Sequence, residues 1–400
     1  MRKNGIDKQI YEINGGACAP SGFSANGVFC GISDTHKEDL AILVCEKRVP
    51  TACVFSAGGM LSPSVAVTQK HLKSNGGRAQ AIVLNGGVTN CLENGSAVIE
   101  NFCRDLERKA QISRDETVII SVGELGKIFP QTAYLEGVDL LINGLEKTDM
   151  ASQKVARVLA CDGQNATQTS FSFRLGDTPC KIGAVYQKGI HSKNALSGLV
   201  CLLTTDACIT SEMLRKSLDG AVKDSFDMLC LEGANSFSDT VCIMASGNAG
   251  NYQISVEDTE YDKFRYFLTQ ALQKICQKIA TDTAKNGVFT CRVEGAKSKR
   301  VARETAKALA TSSAIKNGLR EGTVNVDEAV CILHGTSERT ALNQIALSVK
   351  SSNGEAVLFE DNKRARLCES ALANILSANQ TEICLKIGQG NYSATAIATR

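Results

Sequence analysis

The sequence predicts a layered α/β protein, and three observations carry that expectation. Short apolar runs bounded by glycine and polar turns recur along the whole chain, as buried strands do, at residues 41–45, 81–84, 117–121, 199–203 and 240–245 among others. Stretches with apolar residues at helical spacing lie between them. Four hundred residues exceed one small core, and no repeat or Pro-rich linker interrupts them, so strands and helices alternate throughout.

Residues 41–45 read as a buried strand and 51–56 as a second one, with Gly58-Gly59 turning the chain. Residues 81–84 are a third strand, running into Asn85-Gly86-Gly87-Val88-Thr89-Asn90. A glycine pair there permits a tight turn or a close approach to a ligand, and both stay open; the dinucleotide fingerprint G-x-G-x-x-G is absent. Residues 97–110 carry Val98, Ile99, Phe102 and Leu106 as a helical stripe. The strand 117–121 leads to Val122-Gly123-Glu124-Leu125-Gly126, a turn whose glycines could present backbone N–H groups. Residues 138–142 read as a strand, and the period-two pattern of 169–175 as another.

The central stretch spans 185–207. A Lys-Gly turn and a polar run lead into Asn194-Ala195-Leu196-Ser197-Gly198, and Leu199 to Leu203 form a buried strand closed by Thr204-Thr205-Asp206. A hydroxyl at the mouth of a buried strand can be a nucleophile where a base lies near, and it can equally be a turn serine. His191 is a candidate base for Ser197, or a loop histidine.

Downstream, Ser211 can cap a helix carrying Leu214, Leu218, Val222 and Phe226. Residues 228–232 and 240–245 read as paired strands around a glycine turn flanked by Glu232 and Asp239, which are paired carboxylates or solvated turn acids. A long helix follows at 263–281, then a strand at 288–294, a helix at 301–309, strands near Val330 and Val357, a helix at 364–376 and strands at Ile383 and Ala394.

Composition narrows the function classes. With 44 basic against 42 acidic residues and no basic run, the chain has no footprint for nucleic acid or an anionic membrane. The first residues lack an apolar signal region and no later run approaches the ~18 residues of a membrane span, so a cytoplasmic protein acting on small molecules is expected. The 17 cysteines are then reduced thiols. Without Cys-x-x-Cys, and with four histidines scattered, no metal site is expected.

Taken together, several segments resemble the ornithine acetyltransferase family, the bifunctional glutamate N-acetyltransferases of arginine biosynthesis. They are Gly22-Phe23-Ser24-Ala25-Asn26-Gly27-Val28, Asp39-Leu40-Ala41-Ile42-Leu43, Val54-Phe55, residues 81–91, Thr204-Thr205-Asp206-Ala207, Ser225-Phe226-Asp227-Met228, Gly247-Asn248-Ala249-Gly250-Asn251 and Val293-Glu294-Gly295-Ala296. The resemblance implies an N-terminal-nucleophile sandwich with inner β-sheets and outer helices, made as one precursor that cuts itself. It implies an N-terminal segment 1–196 and a C-terminal segment 197–400. The nucleophile freed by the cut takes an acetyl group from N-acetylornithine and passes it to glutamate, its own α-amine (pKa ~8) acting as base. An amino-acid substrate, no cofactor and a homo-oligomer, or a hetero-oligomer with an active homologue, are implied in the same way.

Carried over residue by residue, the resemblance makes Ser197 the nucleophile when aligned on Asn194, and Gly198 the equivalent position when aligned back from Thr204-Thr205-Asp206. Lys188 and Thr148 match substrate-binding positions, and Gly123 matches one oxyanion donor. Val122 stands where the family has the donor threonine, and Ala284 where it has a site glutamate. The chain also stops short of the family's C-terminal tail. These departures imply either a changed acyl transfer or amide cleavage, or a catalytically silent paralogue acting as a subunit or regulator.

Overall fold

The computed structural model describes residues 9–34, 36–58, 60–91, 95–127, 130–160, 167–188, 199–231, 236, 238–335 and 341–400, without the side chains of Lys188 and His334. The strands are β1 (Tyr11–Ile13), β2 (Phe23–Val28), β3 (Leu40–Phe55), β4 (Arg78–Asn85), β5 (Thr117–Ser121), β6 (Thr167–Leu175), β7 (Thr178–Lys188), β8 (Leu199–Thr205), β9 (Leu229–Cys230), β10 (Thr240–Ala245), β11 (Val288–Ala296), β12 (Ile345–Ser351), β13 (Gly354–Glu360), β14 (Lys363–Arg364), β15 (Gln380–Ile387) and β16 (Tyr392–Thr399). The helices are α1 (Pro63–Ser74), α2 (Gly95–Ala110), α3 (Gln131–Asn143), α4 (Asp149–Leu159), α5 (Ser211–Lys223), α6 (Thr259–Thr283), α7 (Lys299–Thr311), α8 (Ser313–Arg320), α9 (Val326–Cys331) and α10 (Glu369–Leu376). The α/β expectation holds.

The chain divides into two compact units, residues 1–221 with 234–271, and residues 222–233 with 272–400. The expected boundary at 196/197 falls between β7 and β8, outside the described residues.

In the first unit the sheet order is β1-β6-β7-β8-β10-β3-β4-β5, with β2 also on β3. One long strand, β3, replaces the two expected at 41–45 and 51–56. Its first half pairs β2 and β4, its second half pairs β10, and the register shifts between Val44 and Val49 where Glu46, Lys47 and Arg48 reach solvent. The helices attach by apolar faces and by hydroxyls. The α2 stripe of Val98, Ile99, Phe102 and Leu106 is buried as its spacing predicts. Thr68 of α1 donates to Ile119 O at 3.0 Å and accepts the Ile119 N–H at 2.9 Å, tying α1 to β5.

The second unit has the order β14-β13-β12-β15-β11-β16-β9. Helix α7 buries Val301, Ala302, Ala306 and Leu309, starting at Ser298, whose side chain accepts the Val301 N–H.

Several elements differ from expectation. Residues 138–142 belong to α3, whose buried face is Tyr134, Val138 and Leu141; that spacing is helical, and the short apolar run hid it. Val330 lies in α9, where the Asn325 side chain accepts the Glu328 N–H and Asp327 and Glu328 occupy the first turn. Residues 229–230 do not pair with 240–245: β9 joins β16 and β10 joins β3 and β8, because a two-residue strand follows its own unit. The expected helix at 364–376 begins only at Glu369, after β14. Among the described residues no helix is long and apolar enough to cross a membrane.

Candidate active site

Strands β7 and β8 pair antiparallel to their last residues, with Lys188 opposite Leu199. The segment carrying Ser197, His191 and Asn194 thus begins and ends at adjacent backbone positions, although residues 189–198 themselves lie outside the described set. Leu199 is fixed twice over. Besides the ladder to β7, its N–H donates to Asp239 Oδ1 at 2.6 Å, while Asp239 Oδ2 accepts the Ser236 N–H at 3.0 Å. A carboxylate accepting backbone N–H groups makes a short, strong bond. Asp239 therefore pins the start of β8; Glu232, the other acid of the expected pair, is outside the described residues. An acid immediately before the strand 240–245 was the available signal for this role.

Gly123 follows β5 in a second cluster. Its φ is +141°, and a Cβ there would stand 2.2 Å from the Gly87 carbonyl carbon and 2.4 Å from Val88 N, so no other residue fits. Two bonds lace the loops together: Glu124 N–H donates to Gly87 O at 3.1 Å, and Thr89 N–H to Glu124 O at 3.2 Å. Beneath them sits a buried polar knot. Asn85 Nδ2 donates to Val88 O at 2.8 Å, and Asn85 Oδ1 accepts from Ser121 Oγ at 2.7 Å and from Asn90 Nδ2 at 3.3 Å. A third loop joins through Asp39, whose carboxylate accepts the N–H groups of Cys30, Gly31, Ile32 and Ser33 at 2.7–3.1 Å while its carbonyl accepts Gly86 N–H at 2.8 Å. Three hydrogen-bonded loops thus lie together beyond the carboxyl ends of the parallel pair β4–β5, the end of such strands where ligands characteristically bind. Burial and the Asp39 carboxylate push the Cys30 thiol well above its usual range, so it stays protonated.

Val122, 7% exposed, is buried beside Gly123 and joins an apolar core that also holds Val200 and Met244. Thr148 has its hydroxyl committed to local structure: Oγ1 accepts the Ala151 N–H at 3.1 Å as the N-cap of α4 and donates to Glu146 Oε2 at 3.1 Å. Lys188 ends β7, and its side chain is outside the described residues. Ala284 follows α6 in the second unit, its N–H donating to Ala280 O at 3.0 Å.

The register places these residues at different points of one sheet. The Gly123 loop attaches through Asn85 to Leu40, the first residue of β3, whereas Leu199 attaches through the paired β8 and β10 to Phe55, its last. Among the described residues no hydrogen bond links the Gly123 loop to Thr148, Lys188 or Leu199. No group of three or more metal-ligating side chains occurs among them either.

A sequence model of the ArgJ family matches residues 24–399. The chain belongs to the ArgJ family. This is the ornithine acetyltransferase family that its motifs resemble. The ArgJ 1 protein of Clostridium acetobutylicum, named an arginine biosynthesis bifunctional protein, is 25% identical over 377 residues, covering 94% of this chain and 91% of that one. The protein of the same kind from Bacillus subtilis is 24% identical over 402 aligned residues, 98% of this chain and 94% of that one. A solved ArgJ chain from Bacillus halodurans covers 47% of this chain and 98% of its own at 20% identity, with a TM-score of 0.43.

Proposed function

We propose that the chain is an acyltransferase of amino-acid metabolism, moving an acetyl group from N-acetylornithine to glutamate or performing a close variant of that transfer. In this reading the chain cuts itself before Ser197. The family match over residues 24–399 is the observation that carries the reading. The fixed start of β8 supports it, because a terminus made by a cut before Ser197 would lie two residues from an anchored N–H.

The chemistry needs few parts. The α-amine of Ser197 takes the proton from its own Oγ as Oγ attacks the acyl carbonyl; the resemblance assigns the oxyanion to the Gly123 N–H, whose loop the register sets at the other end of β3 from Leu199. Collapse expels the amine of the donor, which takes that proton, and leaves an ester on Oγ. The amine of the acceptor then attacks the ester, Oγ recovers a proton, and the acylated acceptor departs. Acetyl transfer between N-acetylornithine and glutamate should be measurable in the wild type and absent in Ser197→Ala; equal turnover in both would remove Ser197 from the mechanism.

A second reading, a catalytically silent subunit or regulator of an active homologue, draws on Val122. A buried valine supplies no hydroxyl where the family has a donor threonine, and loss of one oxyanion donor costs ~100- to 1000-fold in rate. A purified chain that neither transfers acetyl groups nor changes the activity of an active homologue would oppose both readings.

A further inference from the structure

We propose that the groove beside the second half of β3 binds an extended, carboxylate-bearing peptide segment, adding it as a strand to the sheet. Strand β4 pairs β3 only as far as Pro50 opposite Arg78. Before Arg78, Gly76 and Gly77 at φ +61° and +70° turn the chain back to α1, and the last bond on this edge is Thr51 N–H donating to Gly77 O at 2.9 Å. Beyond it, no strand among the described residues lies on that side of β3.

The edge left open can be identified by parity. Thr51 directs its N–H away from β10, and Ser56 donates its own towards β10, to Asp239 O at 3.2 Å. Alternation along a strand then turns the N–H and C=O groups of Cys53 and Phe55 to the Thr51 side, away from β10. The Cys53 and Cys242 thiols agree with this. They lie directly opposite each other, and the Cys242 thiol adds to burial in raising that of Cys53, as neighbouring side chains do in the closer, non-hydrogen-bonded pairs of an antiparallel ladder. Two residues thus offer a donor and an acceptor each, at the two-residue spacing of a β-ladder.

A groove of about 470 Å³ lies against this edge, walled by Gln69, Leu72 and Lys73 of α1 and by Ser211, Glu212 and Arg215 of α5. Its charge is uneven. Glu212 is paired with Lys216 at 3.1 Å, whereas Lys73 makes no ion pair among the described residues and Arg215 meets Asp219 only at 3.5 Å. Backbone groups at ladder spacing call for a ligand with repeating amides, and the two exposed cations call for carboxylates on it. A second copy of the chain fits less well, because two-fold pairing along this edge would set its own Lys73 and Arg215 against their equivalents.

The test uses the full chain and two fluorescein-labelled hexapeptides, one alternating valine and aspartate, the other valine and lysine. Anisotropy should report binding of the acidic peptide only, weakened about tenfold or more by Lys73→Glu with Arg215→Glu, a double change at exposed positions, with circular dichroism confirming the fold. Hydrogen exchange at the Cys53 and Phe55 amides should slow when the acidic peptide is bound. Absence of binding, equal binding of both peptides, or charge-dependent binding that leaves those amides unprotected would overturn the proposal. Concentration-dependent dimerisation abolished by the same double change would overturn it in favour of a second copy.

Discussion

The N–H of Leu199 donates to the Asp239 carboxylate at 2.6 Å, so the first residue of β8 is held by a side chain from the residue just before β10. A carboxylate bond to a backbone donor contributes about 1.5–3 kcal/mol, and truncation leaves the donor unpaired. Asp239→Ala should therefore lower stability by about 1.5–3 kcal/mol in urea denaturation, with Asp239→Asn costing less because an amide oxygen can still accept. Equal midpoints for wild type and Asp239→Ala would remove this anchor.

Gly123 is forced by geometry. Gly123→Ala puts a methyl into the Gly87–Val88 backbone at a φ of +141°, and should cost about 3 kcal/mol or more and abolish acetyl transfer. Val122→Thr tests the neighbouring position from the other direction. By restoring the missing donor it should raise the acetyl-transfer rate by up to ~100-fold, whereas an unchanged rate would remove Val122 as the cause of any low activity.

Thr148 separates a structural from a binding role. Thr148→Ala removes the α4 cap and should cost about 1 kcal/mol, while Thr148→Ser keeps the accepting oxygen and the stability. If Thr148 also holds substrate, KM should rise in the alanine variant well beyond what its stability loss explains; an unchanged KM confines the residue to capping.

Asp206 gives the chain a pH-dependent stability of known sign. It is 4% exposed, and burial pushes its carboxyl above the ordinary value of 3.8, against the N–H groups of Lys181 and Ser21 that favour the anion. A folded-state pKa raised above the unfolded one means that the native chain holds the proton more tightly. The contribution is fully present below 3.8 and is lost as pH rises through the folded value. Urea midpoints between about pH 4 and about pH 7 should show wild type losing ground to Asp206→Asn as pH rises, and parallel curves would contradict the shift.

Thiol chemistry should be confined to the surface. Burial pushes Cys103 and Cys180 up to about 12, while the exposed Cys368 is lowered by its bond to Ser370. Among the described cysteines, iodoacetamide followed by mass spectrometry should mark Cys368 first and these buried thiols last.

The fold was legible wherever an element was long and periodic. The stripe of α2 and the runs at β8, β10 and β15 were found because burial imposes one pattern along the whole element. The errors arose where a short apolar run carried too few residues to separate period two from period 3.6, as at 138–142, or where a cap outweighed the run, as at Asn325 before α9. The continuity of β3 was hidden because Glu46, Lys47 and Arg48 look like a turn, and only the partner strands show that the chain passes straight through.

The candidate site was legible in its backbone. Gly123, Gly87 and the strand ends beside Ser197 could be named from glycine and hydroxyl placement. The interactions that hold them were not, since Asp239, Asp39, Asn85 and Asn90 act on partners up to 49 residues away in the chain, and sequence spacing carries no trace of the distant pairs. Thr148 shows the converse, a residue matched to a binding position whose hydroxyl also serves its own helix.

The most direct test of the central claim is the intact mass of the purified chain under denaturing conditions. Cleavage between Leu196 and Ser197 predicts two fragments whose masses sum to the 42.6 kDa chain plus one water. A single species at 42.6 kDa would contradict a self-generated nucleophile and leave the silent subunit as the reading to pursue.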